Sequence, residues 1–283
     1  MPGTYSKFQA EGGFMEQRYK PIFIAGYARS GTTLLHALIC TSPDTNPFVK
    51  ECSWLTKLIE AYAHGHATFH VHTNGYFKTL DDFTSYNVTL INGVLSDFWT
   101  GFRKPRTLVL KDPELLAVAP ETCELIPDAT LAVLVRDVRD VAASQVVRIR
   151  KQRNDPGWYD SGYVHEQANR YARLYGRLID SAPALAGRVV CIRYETLVRE
   201  TPFSELESLL GISGLDAPSL WRRSDFDITD FKNDEAYSKL FGTAISASNI
   251  GRYLPILTEE DASGIERVMQ DAEKLFTLYP NIS

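Results

Sequence analysis

The 283-residue chain has few cysteines, no long apolar run and no excess of positive charge. Its four cysteines, Cys40, Cys52, Cys123 and Cys191, are widely spaced and spell neither a C-x-x-C pair nor a metal pattern. Cys191 lies in an apolar run and Cys40 closes a helical one, so both read as buried thiols. No apolar stretch approaches the roughly 20 residues that a membrane span needs. The first twenty residues are polar, lack the apolar segment of a secretory signal and read as a loosely held arm. A net charge of −5 argues against a general binder of nucleic acid or anionic membranes. Any anion site must therefore be a local concentration of cations. Together these absences place the protein in a reducing, cytoplasmic setting, with no nucleic-acid partner and no membrane span. They leave the oligomeric state open.

The stretch that is rich in information is Pro21–Cys40, PIFIAGYARSGTTLLHALIC. Ile22-Phe23-Ile24-Ala25 has the length and apolarity of a buried parallel strand. Gly26 to Thr33 follows, and then Leu34, Leu35, Ala37, Leu38 and Ile39 at helical density. Strand, glycine-bounded turn and helix make a phosphate cradle, because the amides of the turn and of the first helical turn converge under the positive end of the helix dipole. The nucleotide-triphosphate version of this loop reads G-x-x-x-x-G-K-[ST]. Here Gly26 and Gly31 have that separation and Thr33 supplies the hydroxyl, but Thr32 stands in place of the lysine. The loop's cation is Arg29. Such a loop suits one phosphate and lacks the part that manages a triphosphate and its metal. The competing reading is an ordinary strand–turn–helix of an α/β protein.

Further strands are expected at 107–111, 129–135 and 188–194, with helices at 51–59, from 113 to Leu125, from 138 to about Arg153, from Val164 to Ser181, at 203–210 and from Glu259 to Leu278. Strands that alternate with helices and are apolar on both faces predict an α/β fold, a central parallel sheet flanked by helices. The whole chain reads as one domain. Residues 61–106, aromatic and weakly patterned, read as a mostly helical insertion that shapes the acceptor site, with the 155–165 loop beside it. Ligands of such sheets sit beyond the carboxyl ends of the strands. Those ends carry Arg29, Lys111-Asp112, Arg136-Asp137 and Tyr194-Glu195.

Within 136–148 (RDVRDVAASQVVR), Asp137 is placed to cap a helix, and Ser144 and Arg148 share a face four residues apart. With Arg136 at the strand end they predict a second anion site, against the plainer alternative of a solvated basic helix continued by Arg150, Lys151 and Arg153. Two separated anion sites, one of them a single-phosphate cradle, suggest a nucleotide phosphorylated at two places.

At this point the chain resembles a known family. GYARSGTTLLHALI is similar to the 5′-phosphosulfate loop of sulfotransferases that use 3′-phosphoadenosine 5′-phosphosulfate (PAPS), and VRDVRDVAAS to their 3′-phosphate motif. LKDP at 110–113, IRYETLV at 192–198 and, more loosely, SNIGRYLP at 248–255 also resemble segments of the family, closest to its tyrosylprotein and Golgi carbohydrate branch. The resemblance implies PAPS as co-substrate without a metal. It implies that Ser30, Gly31, Thr32 and Thr33 hold the 5′-phosphate, with Arg29 stabilising charge on the sulfuryl and leaving groups. Arg136 and Ser144, assisted by Arg148, would bind the 3′-phosphate, and Tyr194 with Ser248 and Arg252 would close the site. Glu51, in Val49-Lys50-Glu51, would be the base that takes the acceptor proton, and Lys111 a second cation near the transferred group. The acceptor is expected to be a small molecule, sugar or phenol with a hydroxyl, less favourably an amine. A nucleotide-binding module without transfer activity and a P-loop kinase are the alternatives. Four of the six histidines, His64, His66, His70 and His72, cluster without a cysteine or carboxylate among them. They read as pocket wall or solvated loop rather than as metal ligands.

Overall fold

Alternation along each strand builds the sheet. In Lys20–Gly26 (β1), Phe23 and Ala25 join one apolar cluster and Ile22 and Ile24 the other, all without exposure. The same division recurs in Thr107–Lys111 (β2), Thr130–Val135 (β3) and Val189–Arg193 (β4), so the sheet is buried on both faces. A two-residue strand, Asn281–Ile282 (β5), joins β4. All pairs are parallel, in the order β2-β1-β3-β4-β5. The computed structural model describes residues 19–199, 203–224 and 241–283. The expected N-terminal arm therefore lies, up to residue 18, outside the described residues.

Helices cover both faces, as the sequence predicts. Thr32–Ile39 (α1) follows β1, and Ser53–Ala67 (α2) and Leu80–Gly101 (α3) lead to β2. Ala119–Leu125 (α4) precedes β3; Val138–Arg153 (α5), Ser161–Asp180 (α6) and Ala182–Leu185 (α7) precede β4. Tyr194–Arg199 (α8), Phe203–Leu210 (α9), Glu259–Ala272 (α10) and Leu275–Leu278 (α11) follow. The larger cluster joins one sheet face to α2–α7, α10 and α11, and the smaller joins the other to α1, α8 and α9. Ile24 and Leu131 are without exposure, and cutting either to alanine should cost about 2–5 kcal/mol.

Element boundaries differ from expectation where side chains cap the backbone. Asp160 accepts from the Tyr163 amide at 3.1 Å, starting α6 at Ser161 rather than Val164. The segment after Pro113 begins as a 3-10 turn, Pro113–Val118, capped by Asp112, before α4. The final helix is two, because α10 ends at Ala272 and α11 begins at Leu275. Tyr194 opens α8 rather than ending β4. Glu51 precedes the cap residue Cys52 and so lies outside α2, not in its first turn. The 61–106 region is mostly helical, as expected, because α3 carries a capping box between Thr79 and Asp82.

Two features of the fold position the site. Strand β1 runs between β2 and β3, so the loop after Gly26 emerges between Lys111 and Arg136. The segment after α1 runs beside β2. The Thr107 amide donates to the Asp44 carbonyl at 2.9 Å, Asn46 bonds both the amide (2.6 Å) and carbonyl (3.0 Å) of Val109, and the Cys52 amide donates to the Lys111 carbonyl at 2.9 Å. That last bond sets Glu51 beside Lys111.

Candidate active site

A cleft of about 790 Å³ opens at the carboxyl ends of β1, β2 and β3. Its floor is the loop after β1. Gly31 caps α1 with φ +99°, and a Cβ there would lie 2.6–2.7 Å from the Tyr194 ring, so the position requires glycine. Arg29 also adopts positive φ, +78°. The amides of Thr32 and Thr33, in the first turn of α1, have no carbonyl within the helix to bond and face a point where an anion is favoured. Gly31, Thr32 and Thr33 line the cleft. Ser30 does not: its side chain is without exposure and its amide donates to the Tyr27 carbonyl at 3.0 Å. Ser30 therefore shapes the turn.

Beside this floor lies a group of guanidiniums. Arg29 Nε donates to Ser144 Oγ at 3.1 Å. Arg136 donates to the carbonyls of Arg29 (3.0 Å) and Asn249 (2.7 Å) and lies 4.3 Å over the Tyr194 ring. Arg148 Nε donates to Gln145 Oε1 at 3.1 Å. Burial, and then the charges of Arg136 and Arg148, lower the Arg29 pKa. Like charges crowded into a half-buried wall make a place for an anion. The structure thus brings Arg29, Arg136, Ser144, Arg148 and Tyr194 to one cleft, with Arg29 bonded to Ser144 where the sequence suggested two separate groups.

The late loop is hooked onto this wall. Asp140 accepts the amides of Gly251 (2.9 Å) and Tyr253 (3.0 Å), and Arg136 holds Asn249. Asn249, Ser246 and Arg252 consequently line the cleft, whereas the expected Ser248 is exposed and does not.

On the β2 side, Lys111 Nζ lies 2.6 Å from Glu51 Oε1 and 3.2 Å from Thr33 Oγ1. Lys111 is 2% exposed and is not part of the lining, while Glu51 is 44% exposed and is. Asp112, Glu114, Tyr163, Gln167 and Arg170 continue this end, with an ion pair of 2.9 Å between Arg170 and Glu114. Burial pushes the Tyr27 phenol up to about 12, so it stays a neutral donor to Gln167 Oε1 at 2.9 Å.

Several residues of the site carry no motif. Tyr171 donates to the Arg136 carbonyl at 2.9 Å and Tyr175 to the Leu134 carbonyl at 2.5 Å. Their four-residue spacing with Gln167 on α6 was the available signal. Trp221 and Phe241 give the cleft an aromatic wall, from a segment without periodicity. Conversely, the 61–106 insertion contributes nothing to the lining: α3 packs on α2 and α4, and the four clustered histidines stand at the end of α2 and after it. From the 155–165 loop region only Tyr163 reaches the cleft. Among the described residues no helix is long and apolar enough to cross a membrane.

Comparison with known proteins bears on this geometry. The family described as Sulfotransfer_3, Sulfotransferase family, matches residues 21–219. No curated protein matches the chain. Among solved structures, the sulfotransferase domain from the curacin biosynthetic pathway superposes with a TM-score of 0.59 at 18% identity, covering 89% of this chain and 98% of that one. The sulfotransferase domain of the Synechococcus PCC 7002 olefin synthase gives 0.52 at 16% identity, covering 89% and 95%. At these identities the likeness is one of fold.

Proposed function

The chain belongs to the sulfotransferase family and is an enzyme of that family, and on that premise we propose that it transfers the sulfuryl group of PAPS to a hydroxyl of a small acceptor in the cytoplasm. The observation that carries the reading is the crowding of Arg136 and Arg148 about Arg29, which bonds Ser144, next to a glycine-bounded turn that lacks the triphosphate lysine. A donor set of this kind fits two separated phosphate groups. The cradle amides with Thr32 and Thr33 would hold the 5′ end. Ser144 and Arg148, with Arg136 behind them, would hold the 3′-phosphate. Trp221, Phe241 and Tyr194 offer flat faces to a base between the two.

The co-substrate supplies the sulfuryl group; the protein's own residues do the rest. Glu51 lines the cleft, and in this reading it would take the acceptor's proton. Arg29 and Lys111 bring positive charge to the two sides of the cradle, where charge develops as the group moves. No step needs a metal to generate the nucleophile, because a carboxylate serves an alcohol or phenol held in a closed pocket. A cleft of about 790 Å³ lies within the range of small-molecule sites and has room for a nucleotide and a small acceptor. Three of the four thiols are buried and all four are free, in keeping with a reducing compartment.

The test is calorimetric titration with 3′-phosphoadenosine 5′-phosphate, AMP and Mg-ATP. The bisphosphate should bind at least about tenfold more tightly than AMP, since one further charge-assisted contact is worth about 1.5–3 kcal/mol. Preference for Mg-ATP would overturn the reading in favour of phosphoryl transfer. Tight bisphosphate binding with no sulfated product from any hydroxyl acceptor would leave a nucleotide-binding module.

A further inference from the structure

Lys111 is set back from the cleft that its charge is proposed to serve. It is a buried ammonium that touches the cleft through two other residues. Glu51 Oε1 is 2.6 Å away and Thr33 Oγ1 3.2 Å away, and both of these residues line the cleft while Lys111 does not. The bond from the Cys52 amide to the Lys111 carbonyl fixes the two backbones side by side, so the contact is built into the fold. The other titratable groups near the pair are His36 from α1, Cys52 before α2 and Asp112 after β2. Burial, reinforced by Lys111, holds His36 neutral, and burial pushes the Cys52 thiol up to about 12. Asp112 Oδ1 is engaged by the Glu114 amide at 3.1 Å. The carboxylate that contacts Lys111 is therefore Glu51.

A buried cation left with neutral acceptors and no opposite charge is poorly compensated. If Glu51 loses its charge, Lys111 keeps only neutral acceptors, the carboxyl and Thr33, and Thr33 belongs to the proposed phosphate cradle. We propose that Glu51 restrains Lys111, and that the proton Glu51 accepts from the acceptor releases Lys111 toward the anion at the cradle. The inference rests on the function proposed above. In the balanced step the acceptor O–H bond breaks and its proton bonds to Glu51. The acceptor oxygen uses the electron pair left behind to form the new O–S bond. The bond from sulfur to the 5′-phosphate oxygen breaks, and its electrons remain on that oxygen. Deprotonation of the acceptor and neutralisation of the leaving group are thereby tied to one ammonium. Before an acceptor proton arrives, that ammonium is held by Glu51.

The experiment measures the affinity of 3′-phosphoadenosine 5′-phosphate for the wild-type protein, Glu51→Gln, Lys111→Met and the double variant by calorimetry. Glutamine imitates the neutral carboxyl, so Glu51→Gln should tighten binding about threefold to tenfold, the scale of one charge-assisted contact discounted for solvent. In the Lys111→Met background the same change should have no effect. Unchanged or weaker binding by Glu51→Gln overturns the proposal. So does an equal tightening with and without Lys111, which would mark simple relief of repulsion between Glu51 and the anion. Lys111→Gln, which still bonds Thr33, replaces the methionine variant should that one not fold. Failure of the wild-type protein to bind the bisphosphate would instead overturn the function proposed above, and this inference with it.

Discussion

The Tyr175 hydroxyl accepts the Tyr27 amide at 3.0 Å and donates to the Leu134 carbonyl at 2.5 Å. One side chain of α6 thus joins the first residue of the phosphate loop to the end of β3, from 148 residues away in sequence. Tyr175→Phe removes both bonds and leaves the Tyr27 amide buried without this partner. Stability should fall by about 1–3 kcal/mol, read as a shift of the urea midpoint, and bisphosphate affinity should fall with it. An unchanged midpoint would show that the loop is held by packing alone.

Arg148 is the guanidinium of the wall whose assigned work is purely on the 3′ side. Arg148→Ala should weaken 3′-phosphoadenosine 5′-phosphate by about 1.5–3 kcal/mol, the scale of a hydrogen bond to a charged group, and leave AMP almost unaffected. Equal losses for the two nucleotides would move Arg148 out of the 3′-phosphate site.

Glu51→Gln should lower the turnover of any acceptor by roughly 10²–10⁴, the range for losing a general base. Steady-state rates with a phenolic acceptor read this directly. If turnover survives, the base is another group, and Asp112 and Glu114 on the same end of the cleft are the next to change.

His36 gives the protein a dependence on pH. The imidazole is without exposure, and burial, then the charge of Lys111, lower its pKa from 6.5 to about 3. Between those values the unfolded chain binds a proton that the folded chain refuses. Stability is therefore fully present above about pH 6.5 and declines as pH falls toward 3, by up to about 1.4 kcal/mol per pH unit for one proton. Replacing His36 by leucine should flatten the urea midpoint against pH between 6.5 and 4. An identical slope in the variant would mean that His36 takes its proton in the folded state.

The glycine-bounded turn after β1 and the arginine-bearing segment after β3 were legible because they are local. Gly26 and Gly31, Asp137 with its helix, and Ser144 with Arg148 each reveal themselves within a few residues, through spacing that backbone geometry imposes. Parallel strands buried on both faces read as apolar runs, so four of the five strands were also legible. β5 was not, being two residues long, nor was α8, whose single turn and a half leaves no periodicity. The site residues that escaped, Tyr171, Tyr175, Trp221 and Phe241, work across long separations in sequence, where no spacing rule connects them to their partners. The acceptor side was assigned to 61–106 for its aromatics, yet Phe83 and its neighbours stack among themselves between α2 and α3. Phe69 and Phe83 are buried there, while Tyr76 and Tyr86 are exposed away from the cleft lining.

The pairing of Asp44, Asn46 and Cys52 along β2 has a consequence for self-association. The amide of Thr107, both backbone groups of Val109 and the carbonyl of Lys111 are consumed by this neighbouring segment, chiefly through one asparagine side chain imitating a strand. At the opposite margin β5 presents only two residues. Among the described residues, each margin of the sheet thus offers few backbone groups on which a strand from another molecule could be added. Asn46→Ala removes both bonds to Val109 and reopens the β2 margin, so it is the change that should make the sheet sticky, read as a rise in light scattering.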